Sequence, residues 1–249
     1  MLNNMTQRYK AIVAYNGNNY HGWAYQHDVV TIQSTIQNAF EIALKTKTTI
    51  FGASRTDAKV NAIGQVFHFD LNKSIRISCN KIRQCLNKVL PYDICITNIK
   101  KVNKKFNARF DAKAKTYIYK MNIAKKNNPI EASFIYQYNK FFNLKKTMQI
   151  KNLFIGRKNF LSFSTDLPNS QNNIKKISSI TITKKKEIIY FKIIGNGFLR
   201  SMVRMIVGCF IAYSENKISL VEIKDCFSEP KKGKSKYKAP ACGLCLEKI

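Results

Sequence analysis

Apolar and polar residues recur with two different periods in the first half of the 249-residue chain. A period of two predicts β-strands, and a period near 3.6 predicts helices that bury one face. These periods predict the order β-α-β-β-α-β, which is the split βαβ arrangement of ferredoxin-like domains. The predicted elements are the strand Arg8–Tyr15, the helix Thr31–Lys45, the strands Thr48–Ser54 and Gln65–Asp70, the helix Ser78–Val89 and the strand Ile94–Val102.

The second half repeats the order of elements but not the residues. Its predicted elements are the strand Lys115–Ile123, a helix near Leu144–Phe154, the strands Lys176–Thr183 and Ile188–Ile194 with a turn at Lys184–Lys186, the helices Phe198–Tyr213 and Leu220–Phe227, and the strand Cys242–Lys248. We therefore expect an α+β fold in which two ferredoxin-like (split βαβ, RRM-like) α/β halves lie side by side around a central basic cleft. The expected domains are residues 1–106 and 107–249.

The chain carries a large excess of positive charge, with 43 Lys and Arg against 14 Asp and Glu and a formal net charge of +29. An excess of this size disfavours an ordinary metabolic enzyme and indicates a polyanionic partner, either nucleic acid or an anionic membrane. The abundance of Lys, Asn and Ile is also typical of an AT-rich genome, so part of the charge can be compositional. The segment Lys231–Lys238 is expected to be a solvated loop and is a candidate for phosphate contact.

A membrane-bound protein is the weaker interpretation. The stretch Met1–Asn16 lacks an apolar core of signal-peptide length. The most apolar later stretch, Phe198–Tyr213, is interrupted by Arg200 and Arg204 and so cannot span a bilayer. We therefore expect a soluble, cytoplasmic protein without a membrane partner.

Seven cysteines are an odd number at spacings that indicate no disulfide framework, so reduced thiols are expected. Cys242 and Cys245 form a Cys-x-x-Cys motif, but the three histidines all lie in the first third of the chain, and a zinc site needs a second ligand pair. In a strand, an offset of three also places the two thiols on opposite faces. We expect no metal and no cofactor, and a zinc or redox protein is the third interpretation.

The most informative stretch is the polar loop Arg55-Thr56-Asp57, which connects two predicted strands. By itself such a tripeptide is more often a turn, with Asp57 as a capping residue and Arg55 as its surface partner. A carboxylate weakens binding to a phosphate backbone, however, so a basic RNA-binding cleft is expected to exclude one that has no chemical role. Arg55 would hold Asp57 ionised. This argument favours a functional role for Asp57 over a purely structural one.

Arg55-Thr56-Asp57-Ala58, followed by Gly64-Gln65-Val66 and an aromatic-rich strand, resembles the signature of the tRNA pseudouridine synthase A family. The resemblance continues in order along nearly the whole chain. Its further segments are Gly17–Trp23, Leu90–Ile94, Phe106–Phe110 with Lys115–Tyr119, Asn159–Phe163, Gly197–Arg204 and Ala239–Leu244. Each segment alone is a weak signal, but so many in the right order are hard to obtain by chance.

The resemblance implies isomerisation of uridine to pseudouridine at positions 38–40 of the tRNA anticodon stem-loop, without cofactor or metal. It also implies a homodimer in which one tRNA lies across both subunits. By the same match, Asp57 is the catalytic carboxylate, and Arg55 pairs with it and helps to hold the target nucleotide out of the stem. Extrusion is physically reasonable, because a stacked base exposes neither C5 nor C1′ to a carboxylate.

The match also assigns the expected substrate-binding residues. Tyr117 would stack on the uracil and could take the C5 proton, and Leu244 would be an apolar wall against the base. Phe198 and Arg204 complete this set.

Some of these residues also have a purely structural interpretation. Tyr117 and Tyr119 lie two apart on a predicted strand, so both face one side, where tyrosines are commonly buried. Arg204, on an otherwise apolar helix, is either a snorkelling side chain or a phosphate ligand. His68 is expected to be a hydrogen-bonded structural histidine that faces away from the phenylalanines on either side of it.

The chain departs from the family's best motif at three positions, where Ser54 and Lys59 replace glycines and Asn61 replaces a histidine. If glycine at position 59 serves a positive φ, lysine there costs about 1 kcal/mol or forces a different loop path. Asp57, Arg55 and Tyr117 are all present. The alternative function is that of a non-catalytic RNA-binding protein, either a degenerate synthase that binds structured RNA or an RRM-like module.

Overall fold

The computed structural model describes residues 6–126, 128–165 and 173–249. The first five residues of Met1–Asn16, the stretch predicted not to be a signal peptide, lie outside this part of the chain. The chain divides into two compact units. The first contains the residues up to Lys113 together with Leu246–Ile249, and the second contains Ala114–Cys245. The predicted domain boundary after residue 106 stays a prediction, because a compact unit is not by itself an independently folding domain.

The first unit combines an antiparallel sheet with two helices. Its elements are β1 (Thr6–Tyr15), α1 (Ile32–Leu44), β2 (Ile50–Gly52), β3 (Asn61–Asn72), α2 (Cys79–Val89) and β4 (Ile94–Val102). The predicted order of these elements along the chain is confirmed. Within the sheet of this unit the strands follow the order β4-β1-β3-β2.

Both helices of this unit begin at residues that cap them. Thr31 and Ser34 form a reciprocal capping box at the start of α1, and the Lys81 N–H donates to the Ser78 hydroxyl at 3.2 Å at the start of α2. Helix α1 packs on the sheet through its apolar face, where the ring centroids of Phe40 and of Phe69 in β3 are 4.8 Å apart. The core of the unit therefore lies between the sheet and its helices.

The second unit also combines a sheet with helices. Its elements are β5 (Lys115–Asn122), β6 (Tyr136–Gln137), α3 (Leu144–Ile150), β7 (Gly156–Asn159), β8 (Ile174–Lys185), β9 (Ile188–Gly195), α4 (Met202–Ser214), α5 (Leu220–Ser228) and β10 (Leu244–Lys248), with 3-10 turns at Lys151–Phe154 and Leu161–Phe163. The antiparallel order is β5-β9-β8-β7, and β6 pairs in parallel with β5. The last residues of β10 are counted with the first unit.

Helix α4 is buried along its whole length, with Arg204 as its only residue that is not fully buried. It packs into an aromatic core, in which the Phe210 ring stacks on Phe191 at 5.9 Å and lies 5.1 Å from Phe154. Such a helix is apolar on all sides because it is surrounded by protein. Across the described residues, no helix has the length and apolar character needed to cross a membrane.

Several predicted element starts are wrong. Strand β3, predicted from Gln65, begins at Asn61, and β2, predicted from Thr48, begins at Ile50. The helix predicted from Phe198 begins at Met202, because Ser201 has a φ of 60° and a right-handed helix cannot include a left-handed residue. The strand predicted from Cys242 begins at Leu244, whose N–H donates to the Ala241 carbonyl oxygen at 2.9 Å and closes a turn before the strand.

The predicted turn in the β8–β9 hairpin is also displaced. Pairing of β8 with β9 continues to Lys185 opposite Ile188, so the turn consists of Lys186 and Glu187, and Lys186 has a φ of 52°. The short strands β6 and β7 are too brief to show a period, and the sequence pattern did not predict them. The α+β class is confirmed, and the description as two ferredoxin-like halves stays a prediction.

Candidate active site

The Arg55-Thr56-Asp57 loop connects β2 to β3, as predicted. Its three side chains differ in exposure, because Arg55 is exposed, Thr56 is buried with 7% of its surface accessible, and Asp57 is half-buried. The N–H of Val60 donates to the Asp57 carbonyl oxygen at 3.2 Å and closes the turn. The loop thus anchors itself through Thr56 and leaves part of the Asp57 side chain accessible to a ligand.

Buried hydrogen bonds hold the backbone of this loop. The Tyr15 hydroxyl lies 2.9 Å from the Thr56 hydroxyl, and the Trp23 N–H donates to the Thr56 carbonyl oxygen at 3.1 Å. Gln65 Nε2 donates to the Ser54 carbonyl oxygen at 2.7 Å. Because Tyr15, Trp23 and Gln65 are all buried, water does not compete for these bonds. They therefore fix the backbone that carries Asp57.

The loop Gly17–Trp23 packs directly against the Arg55-Thr56-Asp57 loop. Gly22 has a φ of 95°, and a Cβ atom there would lie 2.6 Å from the Thr56 carbonyl oxygen. A Cβ atom on Gly17 would lie 2.1 Å from the Val60 carbonyl oxygen. A larger residue at either position would collide with backbone, so these glycines permit the close contact between the loops.

Two of the three departures from the family motif have a structural account. Lys59 has a φ of 64°, so the chain keeps the left-handed conformation that glycine would adopt without strain. The Asn61 side chain is buried, and its Oδ1 accepts a hydrogen bond from the Gly17 N–H at 2.9 Å. Asn61 therefore helps to hold the loop Gly17–Trp23 in place.

A further contact ties the same loop to the start of β4. The Tyr20 hydroxyl donates to Asp93 Oδ1 at 2.6 Å, and the Asn16 N–H donates to the Asp93 carbonyl oxygen at 2.9 Å. Burial, together with the hydrogen bond to Asp93, raises the pKa of the Tyr20 hydroxyl, which therefore stays protonated as a donor. The segment Leu90–Ile94 thus acts on the candidate site indirectly, by holding the loop that contacts Thr56.

His68 has a structural role, as predicted. It is 4% exposed, and its Nδ1 accepts a hydrogen bond from the Ala108 N–H at 3.1 Å. Its ring stacks on Phe51, with centroids 5.0 Å apart. Burial, followed by the charge of Arg8, lowers the pKa of His68. Geometry and pKa agree that the imidazole is neutral, because only an unprotonated nitrogen accepts a hydrogen bond.

The second unit contains the aromatic residues of the predicted site. Tyr117 of β5 is 5% exposed, and Phe198 meets its ring edge-on, with centroids 5.2 Å apart and planes at 84°. Tyr119 is also buried, and its hydroxyl donates to the Pro240 carbonyl oxygen at 3.0 Å. Both tyrosines are buried, as the strand period predicts, and Phe198 packs against the ring of Tyr117.

The segment that begins at Ala239 contacts Arg204 and leads through a turn into Leu244. Arg204 Nε donates to the Ala239 carbonyl oxygen at 2.9 Å, and the Ala239 N–H donates to the Arg204 carbonyl oxygen at 3.0 Å. Leu244 is buried directly after the turn at Ala241. The half-buried Arg204 is thus anchored through Nε, and its role as a phosphate ligand stays a prediction.

The predicted site residues come from both units. Asp57 and Arg55 belong to the first unit, and the second unit contributes Tyr117, Phe198, Arg204 and Leu244. Arg55 is exposed, and its predicted pairing with Asp57 stays a prediction.

Metal and redox chemistry have no visible site within the described ranges. No group of three or more His, Cys, Asp and Glu side chains there is placed to hold a metal ion. All seven cysteines are free thiols. Cys242 precedes β10 and Cys245 lies within it, so the argument that a shared strand separates their side chains does not apply.

Sequence reasoning missed the residues that position the candidate loop, which are Tyr15, Thr56 and Gln65. A signal was present in the predicted strands. Gln65 is a polar residue in a strongly apolar strand, and a buried amide needs hydrogen-bond partners. The adjacent loop, whose backbone carbonyl groups do not belong to a strand ladder, is the natural place to look for them.

A family model described as tRNA pseudouridine synthase matches residues 11–111 and 150–249. Relatives named tRNA pseudouridine synthase A match nearly the whole chain. The protein of Malacoplasma penetrans is 42% identical over 240 residues, which cover 96% of this chain and 97% of that protein. The protein of Mycoplasma genitalium is 37% identical over 243 residues, with 97% and 98% covered, and that of Clostridium kluyveri is 32% identical over 240 residues, with 96% and 98% covered. This chain therefore belongs to the tRNA pseudouridine synthase family.

Proposed function

We propose that this protein isomerises uridine to pseudouridine at positions 38–40 of the tRNA anticodon stem-loop, with Asp57 as the catalytic carboxylate. The placement of Asp57 carries the proposal. Its side chain is half-exposed on a loop whose backbone is fixed by buried hydrogen bonds, in a chain with a net charge of +29. A fixed carboxylate opposes the binding of a polyanion, so one is expected beside the substrate only where it takes part in the chemistry.

The reaction needs a group that acts at the glycosidic centre. The N1–C1′ bond breaks, the uracil turns, and C1′ joins C5; the C5 hydrogen then leaves as a proton and N1 gains one. Atoms and electrons balance without an oxidant or an energy source, so the proposal includes no cofactor and no metal. Asp57 either attacks the nucleotide or removes a proton while the bond breaks.

The remaining roles follow from the environment of each side chain. Tyr117 stacks on the uracil and accepts the C5 proton, and Leu244 is the apolar wall against the base. Phe198 lies beside Tyr117, with ring centroids 5.2 Å apart, and so adjoins the extruded base. Arg55 is exposed, and it pairs with Asp57 and the target nucleotide only when RNA is bound. Arg204 contacts the phosphate backbone.

We also propose a cytoplasmic homodimer in which one tRNA lies across both subunits, each built from two ferredoxin-like halves. The strand order β4-β1-β3-β2 supports this description of the first half. Light scattering tests the dimer. A monomer at micromolar concentration that keeps full activity would refute it.

The test of the catalytic assignment is Asp57→Asn, compared with Asp28→Asn. An amide has nearly the shape of a carboxylate, so the fold should survive, but it is neither a useful nucleophile nor a useful base. We expect no pseudouridine from uracil-labelled tRNA and an unchanged or slightly higher tRNA affinity. Asp28 is an exposed carboxylate paired with His27, and its replacement controls for the loss of one negative charge.

The outcomes separate the competing functions. If Asp57→Asn converts uridine at a rate within about tenfold of wild type, a barrier change of about 1.4 kcal/mol, Asp57 is not the catalytic group. If the wild-type protein binds tRNA tightly and never forms pseudouridine, the chain is instead a degenerate, RNA-binding relative.

A further inference from the structure

Strands β7 and β8 place like charges directly opposite each other. In their antiparallel register Arg157 lies opposite Lys176, and Lys158 lies opposite Lys175. Like charges in such cross-strand positions destabilise a sheet. We name these four residues the β7–β8 cation surface. The opposed charges of Arg157 and Lys176 destabilise the folded sheet unless an anion lies between them.

Protein carboxylates do not neutralise most of this surface. Within residues 6–126, 128–165 and 173–249, no ion pair within 4.0 Å involves Arg157, Lys158 or Lys176. Arg157 and Lys176 are exposed, and Lys158 and Lys175 are half-buried. The Lys158 ammonium group lies 5.3 Å from the centroid of the Phe227 ring, which holds it in place without cancelling its charge.

The β7–β8 cation surface lies next to predicted site residues of the same unit. The Lys175 Cδ atom is 3.8 Å from the position that a Cβ atom on Gly197 would occupy. Gly197 directly precedes Phe198, whose ring packs on Tyr117 at 5.2 Å. The β7–β8 cation surface therefore adjoins the segment that carries Phe198.

Protection of a sheet edge is the competing explanation. Strand β7 ends the strand order of its unit, and lysines on an edge strand prevent pairing with another chain. Edge protection requires charge only on the outer strand, however. Here β8, which pairs with β7 on one side and β9 on the other, contributes Lys175 and Lys176 to the same surface.

We propose that the β7–β8 cation surface binds the phosphate backbone of the RNA substrate beside the target nucleotide. The proposal rests on tRNA being the substrate and assigns a contact that the catalytic residues do not provide. Successive residues of a strand point to opposite faces, so the two cation pairs reach a backbone that passes the edge of β7 from both sides. A phosphate oxygen between Arg157 and Lys176 would remove the repulsion between these two cations.

The test is the double variant Arg157→Gln/Lys176→Gln, compared with Lys184→Gln/Lys185→Gln. Both lose two positive charges, and the control loses them at the far end of β8, where Lys184 is 3.6 Å from Glu187. The measurement is tRNA affinity across a salt series. We expect the slope of log K against log salt to flatten by about 2 in the first variant and by less than about 1 in the control. The melting temperature of the first variant should be unchanged or higher, since the repulsion is gone.

Two results would overturn this proposal. One is a salt slope that stays at the wild-type value or falls no further than that of the control. The other is aggregation of Arg157→Gln/Lys176→Gln with unchanged tRNA affinity, which would show that the charges only protect the edge. Because binding is measured without turnover, a wild-type protein that binds tRNA but does not convert it would sink the proposed function and leave this inference standing.

Discussion

The Tyr15 hydroxyl lies 2.9 Å from the Thr56 hydroxyl in the interior of the first unit. Thr56 directly precedes Asp57, so this buried hydrogen bond joins the end of β1 to the loop that carries the proposed catalytic carboxylate. Strand β1 is paired on both sides, with β3 and with β4. The backbone at Asp57 is therefore anchored to a central strand of its sheet.

Tyr15→Phe should lower turnover more than stability. Loss of one buried hydrogen bond lowers the free energy of unfolding by about 1 kcal/mol. A misplacement of the reacting group by about 1 Å can lower the rate by about 10²-fold, so we expect the single-turnover rate to fall by at least about tenfold with tRNA affinity unchanged. Tyr9→Phe is the control, because Tyr9 lies on the same buried face of β1, stacked on Phe69. Equal loss of rate in both variants would refute a positioning role for the Tyr15 hydroxyl.

Lys59→Gly should stabilise the protein. Lys59 has a φ of 64°, a conformation that glycine adopts without the steric cost of a Cβ atom. We expect the free energy of unfolding to rise by up to about 1 kcal/mol, measured by urea denaturation. Ala58→Gly, at the preceding position without a positive φ, should lower it by about 0.4–1 kcal/mol through the greater freedom of the unfolded chain. If Lys59→Gly and Ala58→Gly shift the free energy of unfolding in the same direction, the backbone at Lys59 is not strained.

The sequence predicted those elements whose period extends over many residues. The alternation in β1 and the helical spacing in α1 are both long enough to show a buried face, and both elements were confirmed. The start of α4 could not be predicted, because Phe198 fits the helical spacing although it precedes the helix. The Arg200 carbonyl oxygen accepts from the Thr165 N–H at 3.1 Å, a contact from a distant segment that a local pattern does not contain.

In the candidate loop, too, local features could be predicted from the sequence and contacts with distant residues could not. The positive φ of Lys59 could be predicted, because it follows from a glycine expected at that position. The bonds Tyr15–Thr56 and Gln65–Ser54 join residues 41 and 11 positions apart, and their geometry depends on how β1 and β3 pair. A single sequence gives the residues of these bonds but not the register that brings them together.

The buried His68 should make stability depend on pH. Burial and then Arg8 lower its pKa, while Asp70 and Asp111 raise it, and the net direction is down. The unfolded chain takes up a proton near pH 6.5, and the folded protein does so only at lower pH. Neutral His68 therefore makes its full contribution to the free energy of unfolding above about pH 6.5. This contribution is lost as the pH falls towards the pKa of His68 in the folded protein.

Urea denaturation at about pH 7.5 and about pH 5.5 checks this dependence. We expect the wild type to be less stable at the lower pH. His68→Asn, whose Oδ1 can still accept from the Ala108 N–H, should reduce that difference, and His21→Gln at an exposed position should not. The hydrogen bond to Arg8 lowers the pKa of Asp70, so the stability that Asp70 contributes is lost only below about pH 4. Asp70 therefore does not affect the comparison between the two pH values. An unchanged difference in His68→Asn would contradict the assignment.

Tyr117→Phe is the variant that separates stacking from proton transfer. The substitution keeps the ring and its T-shaped contact with Phe198, so tRNA affinity should not change. After C1′ has joined C5, the C5 proton must still leave, and a positioned acid or base typically contributes about 10²–10⁴-fold to such a step. We expect release of tritium from uracil labelled at C5 to slow by that factor, with a larger isotope effect than in the wild type. Tyr119→Phe is the matched control on the same strand face, because its hydroxyl donates to the Pro240 carbonyl oxygen and should contribute about 1 kcal/mol to stability and nothing to turnover. If Tyr117→Phe releases tritium at the wild-type rate while Tyr117→Leu loses activity, Tyr117 acts by stacking alone and another group removes the proton.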